Sequence, residues 1–504
     1  MTRSYVAAMR LPEINIASDS DLPVYQQIAG ALKQQIQTRE IGAGTRLPTI
    51  RSLAQVLGVN RDTISLAYET LATDGLVVST VGRGTFVREA QGARIESEKV
   101  AMALGPQVEQ LLHFDASRPR YPVAPNAVRM NSLVPDPTHY PIAEFRRCLG
   151  KVMDRGGAEL FLYGDTQGHI GLRETIATRL SSADGVVESS NVVLCHGASQ
   201  GISLAARLFA GQGESIAVES PTYHNVLGTL VSFGIRSAAV PMKDDGADLE
   251  ALDRLLARSD VKAFYTIPTF HNPMGLTTNV AHRRALLAIA ERHGKPIIED
   301  AFEMDLRLRG RRVPSLFALD TAGMVVQLRS FSKSLFPGVR TGAIVARGRA
   351  VEGLVALKHA SDLADSLPLQ AAMDEFLRAG YYDKHLDRLR PILKGRLDCL
   401  LDALSRRMPK GTQYTEPEGG YQVWVELPFE VDTRDVLADA ARAGVLFAPG
   451  SHFLPDRGPS RSLRLTFALA TEVEIERGIE ALANAVAAAR ASEVPGPTSA
   501  GVHL

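Results

Sequence analysis

Cysteine is scarce: the 504 residues hold only Cys148, Cys195 and Cys399, far apart along the chain. That spacing excludes a disulfide framework and any CxxC-type zinc or redox site, and no metal site is expected. It points to a reducing compartment. Net charge is also missing, since 56 Lys+Arg balance 56 Asp+Glu. A polybasic coat for nucleic acid is therefore excluded, although a local basic surface is not. No run of 18 apolar residues occurs, so no membrane-spanning helix is expected. The opening MTRSYVAAMRLPEI lacks the apolar core of a secretory signal. The expectation is a cytoplasmic protein without a membrane partner. What is present is ordinary for a folded chain: 45% hydrophobic and 22% charged residues exclude wholesale disorder. At about 150 residues per domain, the length allows roughly three domains.

The pattern divides the chain. Residues 21–88 form a compact unit of three helices and a hairpin. Residues 89–126 have weak periodicity and prolines near their end, and are expected to be a linker with one helical turn around Val108–Leu112. Residues 127–490 alternate apolar runs (VVLCHG, SIAVES, KAFYTIP, KPIIED, MVVQLRSF) with amphipathic helices such as Gln200–Phe209, Asp248–Arg258 and Val280–His293. This alternation predicts right-handed βαβ units and an α/β fold with a mostly parallel central sheet. Residues 370–490 carry long helices and an antiparallel piece, GGYQVWVELP with SRSLRLTFAL, and are expected to form a smaller C-terminal α/β lobe. Residues 491–504 read as a tail.

In the first unit, Tyr25, Ile28, Leu32 and Ile36 recur at helical spacing. TIRSLAQVLG makes a short helix ended by Gly58. Asn60 is placed to cap RDTISLAYETLATDG, and LVVSTVGRGTFV reads as two strands about a Gly-Arg-Gly turn. A helix-turn-helix followed by a β-wing suits duplex DNA, because the second helix of the pair enters the major groove. Arg51, Arg61 and Thr63 stand where such contacts are made, and Arg83 at the wing tip. A small helical bundle that binds protein is the plainer alternative. Over residues 1–88, nine Lys or Arg face seven Asp or Glu, about +2 overall, so long-range attraction to DNA is weak. LPTIRSLAQVLGVNRDTISLAYETLATDGLVVSTVGRGTFV resembles the winged-helix domain of GntR-type transcription regulators over its whole length, with Asn60 in place of the commoner serine. The resemblance implies promoter DNA as a partner.

The sharpest element of the larger region is SFSKSLFPGVRTG, residues 330–342. Lys333 lies between hydroxyls, with Arg340 seven residues on. A lysine that forms an imine needs a positioned, partly deprotonated amine. Ser330, Ser332 and Arg340 supply a phosphate cup, and the set suits pyridoxal 5′-phosphate. In HGASQGI, the backbone of Ala198 and Ser199 opens a helix, where a phosphate is held well. Tyr223 in ESPTYHN is placed to stack on a pyridine ring. Asn272 in PTFHNPMG suits a phenolic oxygen, and Asp300 in IIEDAF would keep a ring nitrogen protonated. Singly these have plainer readings: an ordinary surface lysine, helix caps, a packed core tyrosine. Together they sit at the carboxyl ends of candidate parallel strands, where open α/β sheets bind ligands.

This arrangement resembles the fold-type I, aspartate-aminotransferase-like enzymes over about residues 127–490. The resemblance implies Lys333 as the Schiff-base lysine, Asp300 as partner of the pyridine nitrogen and Asn272 as donor to the phenolate. It implies Tyr223 as the stacking ring, and Ser330 and Arg340 as phosphate ligands. Tyr163, in LYGDTQGHIGLR, resembles the tyrosine that reaches the phosphate of a neighbouring subunit. Arg464, in SLRLTFA, resembles the arginine that clamps a substrate α-carboxylate. Phe302 stands where many relatives carry a tyrosine, and the lost hydroxyl is expected to raise the imine pKa. Thr166 replaces the usual proline after YGD. A winged helix joined by a linker to such a domain is the layout of MocR-type regulators. That family implies a head-to-tail homodimer and an amino acid or amine effector sensed by external aldimine formation. A working aminotransferase with an ancillary DNA-binding module is the rival reading, and a repressor holding the cofactor only structurally is a third.

Overall fold

The computed structural model describes residues 14, 16, 22–38, 40–42, 44–80, 84–88, 103–116 and 123–493. It divides into two compact units, Met1–Ala103 and Leu104–Leu504. Among the described residues no helix is long and apolar enough to cross a membrane.

The first unit follows from its caps and its apolar spacing. Helix Val24–Gln37 packs Ile28 and Leu32 against Ile64 and Leu71 of helix Arg61–Thr73, all four at most 1% exposed. Each such burial stabilises by about 1.5–3 kcal/mol. Between them lies helix Ile50–Leu57, opened by the Thr49 hydroxyl accepting the Ser52 N–H at 3.1 Å. It is closed by Gly58 at φ 65°, a conformation that costs glycine nothing. Asn60 caps the next helix by accepting the Asp62 N–H. Strands β1 (Val77–Thr80) and β2 (Gly84–Val87) form the antiparallel wing, extended by a bridge from Arg46 to Phe86.

The second unit is built on an eight-stranded sheet: β3 (Val192–Cys195), β4 (Ser215–Ser220), β5 (Arg236–Lys243), β6 (Gly246–Ala247), β7 (Val261–Thr266), β8 (Ile297–Asp300), β9 (Val325–Ser330) and β10 (Gly342–Val345). Their order in space is β3-β10-β9-β8-β7-β4-β5-β6. Strands β9, β8, β7, β4 and β5 are mutually parallel. β10 runs against both β9 and β3, and β6 against β5. The five expected strands are all present, each apolar because helices cover both faces. β5, the two-residue β6 and β10 were not foreseen. RSAAVPMK has only Val240 buried and is mixed in character, and GAIV is too short to signal itself. Because β3 is parallel to β9, the carboxyl ends of β3, β4, β7, β8 and β9 share one rim. The antiparallel β10 starts at that same rim.

The C-terminal lobe is a four-stranded antiparallel sheet of β11 (Gln413–Tyr414), β12 (Gln422–Glu426), β13 (Ala448–Pro449) and β14 (Ser462–Thr466). Helices Tyr381–Arg407, Thr433–Ala443 and Glu472–Glu493 accompany it.

One expectation changes. The single turn around Val108–Leu112 is an eleven-residue helix, Pro106–Ala116. It belongs to the second unit and packs on helix His224–Ser232, where Gly228 leaves room for Phe114. The Arg457 guanidinium lies 4.0 Å from the Phe114 ring centre. The docking face is short, and Val108, Glu109, Gln110, Leu112 and His113 are exposed, which is why the periodicity looked weak.

Candidate functional site

The strand rim encloses a cavity of about 230 Å³. Its walls include nine residues singled out from the sequence: Ala198, Ser199, Tyr223, Asn272, Asp300, Ser330, Ser332, Lys333 and Arg340. Phe302, Asn225, Leu133 and Pro337 complete them. All of these but Leu133 lie in segments that follow, end or precede a strand of the same sheet, which is why they converge.

Part of the cavity wall gathers a helix start and a guanidinium, groups that suit an anion. Helix Gly197–Phe209 starts directly after β3, and Ala198 and Ser199 of its first turn, where backbone N–H groups lack intrahelical partners, line the space. Gly197 is at φ +74°, and a Cβ there would stand 3.1 Å from Arg340 Nη2. The glycine thus lets the guanidinium lie across the helix start. Arg340 is itself left-handed at φ 52°, and its Nη2 donates to the His196 carbonyl at 2.8 Å. The Ser332 N–H donates to Ser330 Oγ at 3.2 Å, while Ser332 Oγ is buried with no partner.

The wall also carries Asp300, Asn272 and Tyr223. Asp300 closes β8, buried, with Oδ2 accepting the Tyr265 hydroxyl at 2.7 Å and Oδ1 unpartnered. Burial pushes its pKa up to about 7 against the pull of that hydrogen bond. Asn272 Oδ1 accepts from Arg464 Nη1 at 3.0 Å, which leaves its buried Nδ2 without an acceptor. Tyr223 precedes helix His224–Ser232. Its ring lies nearly parallel to Phe302, 10° apart with centres at 6.4 Å, and its hydroxyl accepts from Asn225 Nδ2 at 2.7 Å. Burial raises that phenol to about 12, so it stays protonated.

Lys333 is half-buried, and burial lowers its pKa while the Glu303 carboxyl opposes the fall. A lysine with a lowered pKa offers more neutral amine at physiological pH. Arg464, on β14, is only 3% exposed. It donates to Asn272 and to the Asn131 carbonyl (Nη2, 2.7 Å) and lies 4.9 Å from the Phe453 ring centre. Burial lowers it to about 10, which leaves it charged at neutral pH.

Tyr163 is not brought to this cavity; it is 87% exposed. In the first unit, Arg51 and Arg61 are exposed and Thr63 is half-buried in the first turn of helix Arg61–Thr73. Arg83 lies outside the described residues. Three contributors were missed by sequence reasoning. Tyr265 sits inside an apolar strand run, where a core ring is the ordinary reading. Glu303 follows Asp300 by three residues without any pattern of its own. Arg46 lies against Gly84 of the wing, close enough that a Cβ on the glycine would come 2.7 Å from its Nε; the GAGTRLP turn that carries it was read only as a helix break.

Comparison with known proteins gives two family matches. The model described as "Aminotransferase class I and II" matches residues 144–482, and "Bacterial regulatory proteins, gntR family" matches residues 24–87. The chain is 33% identical over 359 residues to aromatic-amino-acid aminotransferase 1 of Thermococcus litoralis, covering 70% of this chain and 86% of that protein. It is 28% identical over 476 residues to the probable rhizopine catabolism regulatory protein MocR of Rhizobium meliloti, covering 94% and 96%. The alpha-aminoadipate aminotransferase LysN of Thermus thermophilus, solved with N-(5'-phosphopyridoxyl)-L-leucine, matches with a TM-score of 0.69 at 29% identity. That match covers 77% of this chain and 96% of LysN.

Proposed function

The chain belongs to the class I and II aminotransferase family and carries a gntR-family module ahead of it; on that premise we propose that it is a MocR-type transcription regulator that holds pyridoxal 5′-phosphate and reads an amino acid or amine. The observation that carries the reading is the set of unsatisfied polar atoms around one cavity. Buried donors and acceptors are normally paired. Here Asp300 Oδ1, Asn272 Nδ2 and Ser332 Oγ have no partner, beside a helix start crossed by a guanidinium. An acceptor for a ring N–H, a donor for a ring oxygen and a cup for a dianion are what this cofactor requires, so the residues fit it.

When bound, pyridoxal phosphate supplies an aldehyde for amines and a ring that withdraws electrons. The chain's own groups do the rest. Ser330, Ser332, Arg340 and the amides of Ala198 and Ser199 would hold the phosphate. Asp300 would keep the proton on the ring nitrogen, Asn272 would hold the phenolic oxygen, and Tyr223 would cover one ring face. Lys333 Nζ would anchor the aldehyde until an effector amine takes its place. Arg464 would orient the effector by its carboxylate. Tyr163, exposed on its own chain, suits a second copy's phosphate in a head-to-tail homodimer. Arg51, Arg61, Thr63 and Arg83 would meet promoter DNA, and occupancy of the cavity would bias how firmly the winged helices grip it. Such coupling is typically about 1–3 kcal/mol.

The test combines two titrations of the holo-protein with a panel of amino acids and amines. Absorbance reports the change at the cofactor, and operator binding reports the regulatory response. An effector that moves both supports the reading. A protein that stays colourless with pyridoxal phosphate, or ignores promoter fragments at low salt, refutes it. The 33% match to an aminotransferase favours a second reading, catalysis with an ancillary module. That reading predicts sustained turnover of an amino donor with a 2-oxo acid.

A further inference from the structure

Resting on the cofactor reading above, we propose that Tyr421 and Tyr382 are positioning residues for the anchoring lysine. From behind the cavity they pin residues 333 and 334, so that Lys333 Nζ meets the cofactor's aldehyde at a fixed reach.

Both tyrosines are 0% exposed, and neither belongs to the cavity wall. The Tyr421 hydroxyl donates to the Lys333 carbonyl at 2.7 Å. One residue on, the Tyr382 oxygen lies 2.6 Å from Ser334 Oγ, and its hydroxyl donates to Asp305 Oδ2 at 2.8 Å. Burial raises both phenols far above their ordinary range, so each keeps the proton it donates.

The approach of Tyr421 depends on the two glycines ahead of it. A Cβ on Gly419 would collide with the Leu306 carbonyl and the Phe270 ring, and one on Gly420, at φ +72°, would stand 2.9 Å from Phe270 Cβ. The bare backbone instead presses onto the loop after β8, where the Gly420 N–H donates to the Leu306 carbonyl at 3.0 Å. The Tyr421 ring then packs edge-on against Phe467, with centres 6.3 Å apart. Tyr382 is the second residue of helix Tyr381–Arg407, and its ring meets Phe331 edge-on at 5.5 Å.

The lysine needs such support. Its amine ends a flexible four-carbon stem, so a loose backbone adds to the positions Nζ can take. The ladder that joins β9 to β10 stops at Ser330 and Gly342. Within the loop, the Lys333 carbonyl is held by a side chain from the C-terminal lobe. Tyr421 leads directly into β12, whose Trp424 pairs with Arg464 of β14. The strand pair that carries Arg464 therefore also holds the lysine.

Tyr421→Phe and Tyr382→Phe each remove one oxygen and keep the packed ring. In the full chain, attachment joins Lys333 Nζ to the aldehyde carbon and releases one water. Borohydride then delivers hydride to that carbon while the nitrogen takes a solvent proton, and peptide mass spectrometry counts the product at Lys333. Each variant should attach pyridoxal phosphate about fivefold more slowly, the worth of one ordinary hydrogen bond. Pyridoxamine 5′-phosphate, which has no aldehyde, should bind both variants as tightly as the parent in equilibrium dialysis. Unchanged attachment overturns the proposal. So does a parallel loss of attachment and pyridoxamine phosphate binding, which a merely structural role predicts. Hydrogen exchange gives a readout without cofactor: amides in peptides spanning residues 331–341 should exchange about fivefold faster in each variant. Exchange equal to that of the parent overturns the proposal. Should one variant fail to fold, the other carries every measurement. A chain that takes up neither form of the cofactor refutes the function proposed above, while hydrogen exchange still decides the role of the two tyrosines.

Discussion

Asp300→Asn tests the electrostatic design of the cavity without touching its shape. Folding carries the Asp300 carboxyl from an ordinary 3.8 to about 7 through burial. A raised acid binds its proton more tightly in the folded state, so its contribution to stability is intact below the unfolded pKa and is eroded as pH rises. At about 1.36 kcal/mol per pK unit, the cost grows from near zero below about pH 4 to roughly 4 kcal/mol above about pH 7. At about pH 5 it is roughly 1.6 kcal/mol by the same relation. Asparagine carries no such cost and can still accept the Tyr265 hydroxyl. Cofactor-free Asp300→Asn should therefore be more stable than its parent at about pH 8, by up to roughly 4 kcal/mol, with the margin shrinking by about 2–3 kcal/mol at about pH 5. The assay is urea unfolding followed by the chain's single tryptophan, Trp424, which pairs across the strands with Arg464. The same variant should bind pyridoxal phosphate more weakly, because the ring nitrogen loses its ionic partner. A margin independent of pH, or a variant less stable at pH 8, would refute the reasoning.

Three further outcomes follow from the geometry. Gly197→Ala places a methyl about 3.1 Å from Arg340 Nη2 at a backbone angle alanine rarely adopts; equilibrium dialysis should show pyridoxal phosphate affinity reduced at least tenfold, at about 1.4 kcal/mol per decade, and unchanged affinity would dismiss the anion cup. Lys333→Ala should lose the visible absorbance of the bound cofactor and the effect of amino acids on operator binding, and a persisting effect would show that sensing bypasses this lysine. Arg61→Ala should weaken operator binding by about 1–3 kcal/mol if the guanidinium reads a base, or lower the salt slope by about one if it meets a phosphate; an affinity and slope both unchanged in gel-shift titrations would remove Arg61 from the interface.

Much of this was legible because the fold writes itself in apolar runs. VVLCHG, SIAVES, KAFYTIP, KPIIED and MVVQLRSF are buried on both faces, so their strands and the polar residues ending them stand out. Asp300, Asn272 and Lys333 could be placed from that rule alone. Residues that act from behind the cavity left no such trace. Tyr265 reads as core, and Glu303 and Gln422 lie more than a hundred residues apart before the C-terminal lobe closes them together. Arg464 needed the resemblance, since nothing in SLRLTFA reveals that β14 faces Asn272. Helix Pro106–Ala116 was hidden because one docked face with Phe114 makes too short a stripe to rise above the background.

The reversal of β10 has a consequence for how the cofactor would be gripped. β9 and β10 pair antiparallel, with Ser330 opposite Gly342, so the intervening residues form one closed loop whose two feet are stitched together. Lys333 stands near the first foot and Arg340 near the second. In the proposed role, Lys333 as covalent anchor and Arg340 as phosphate clamp would thus be two fingers of one hand, so that a shift of one would drag the other. Lengthening that loop by a single residue would spoil both grips at once, whereas the same insertion beyond β5, far along the sheet, should leave them untouched.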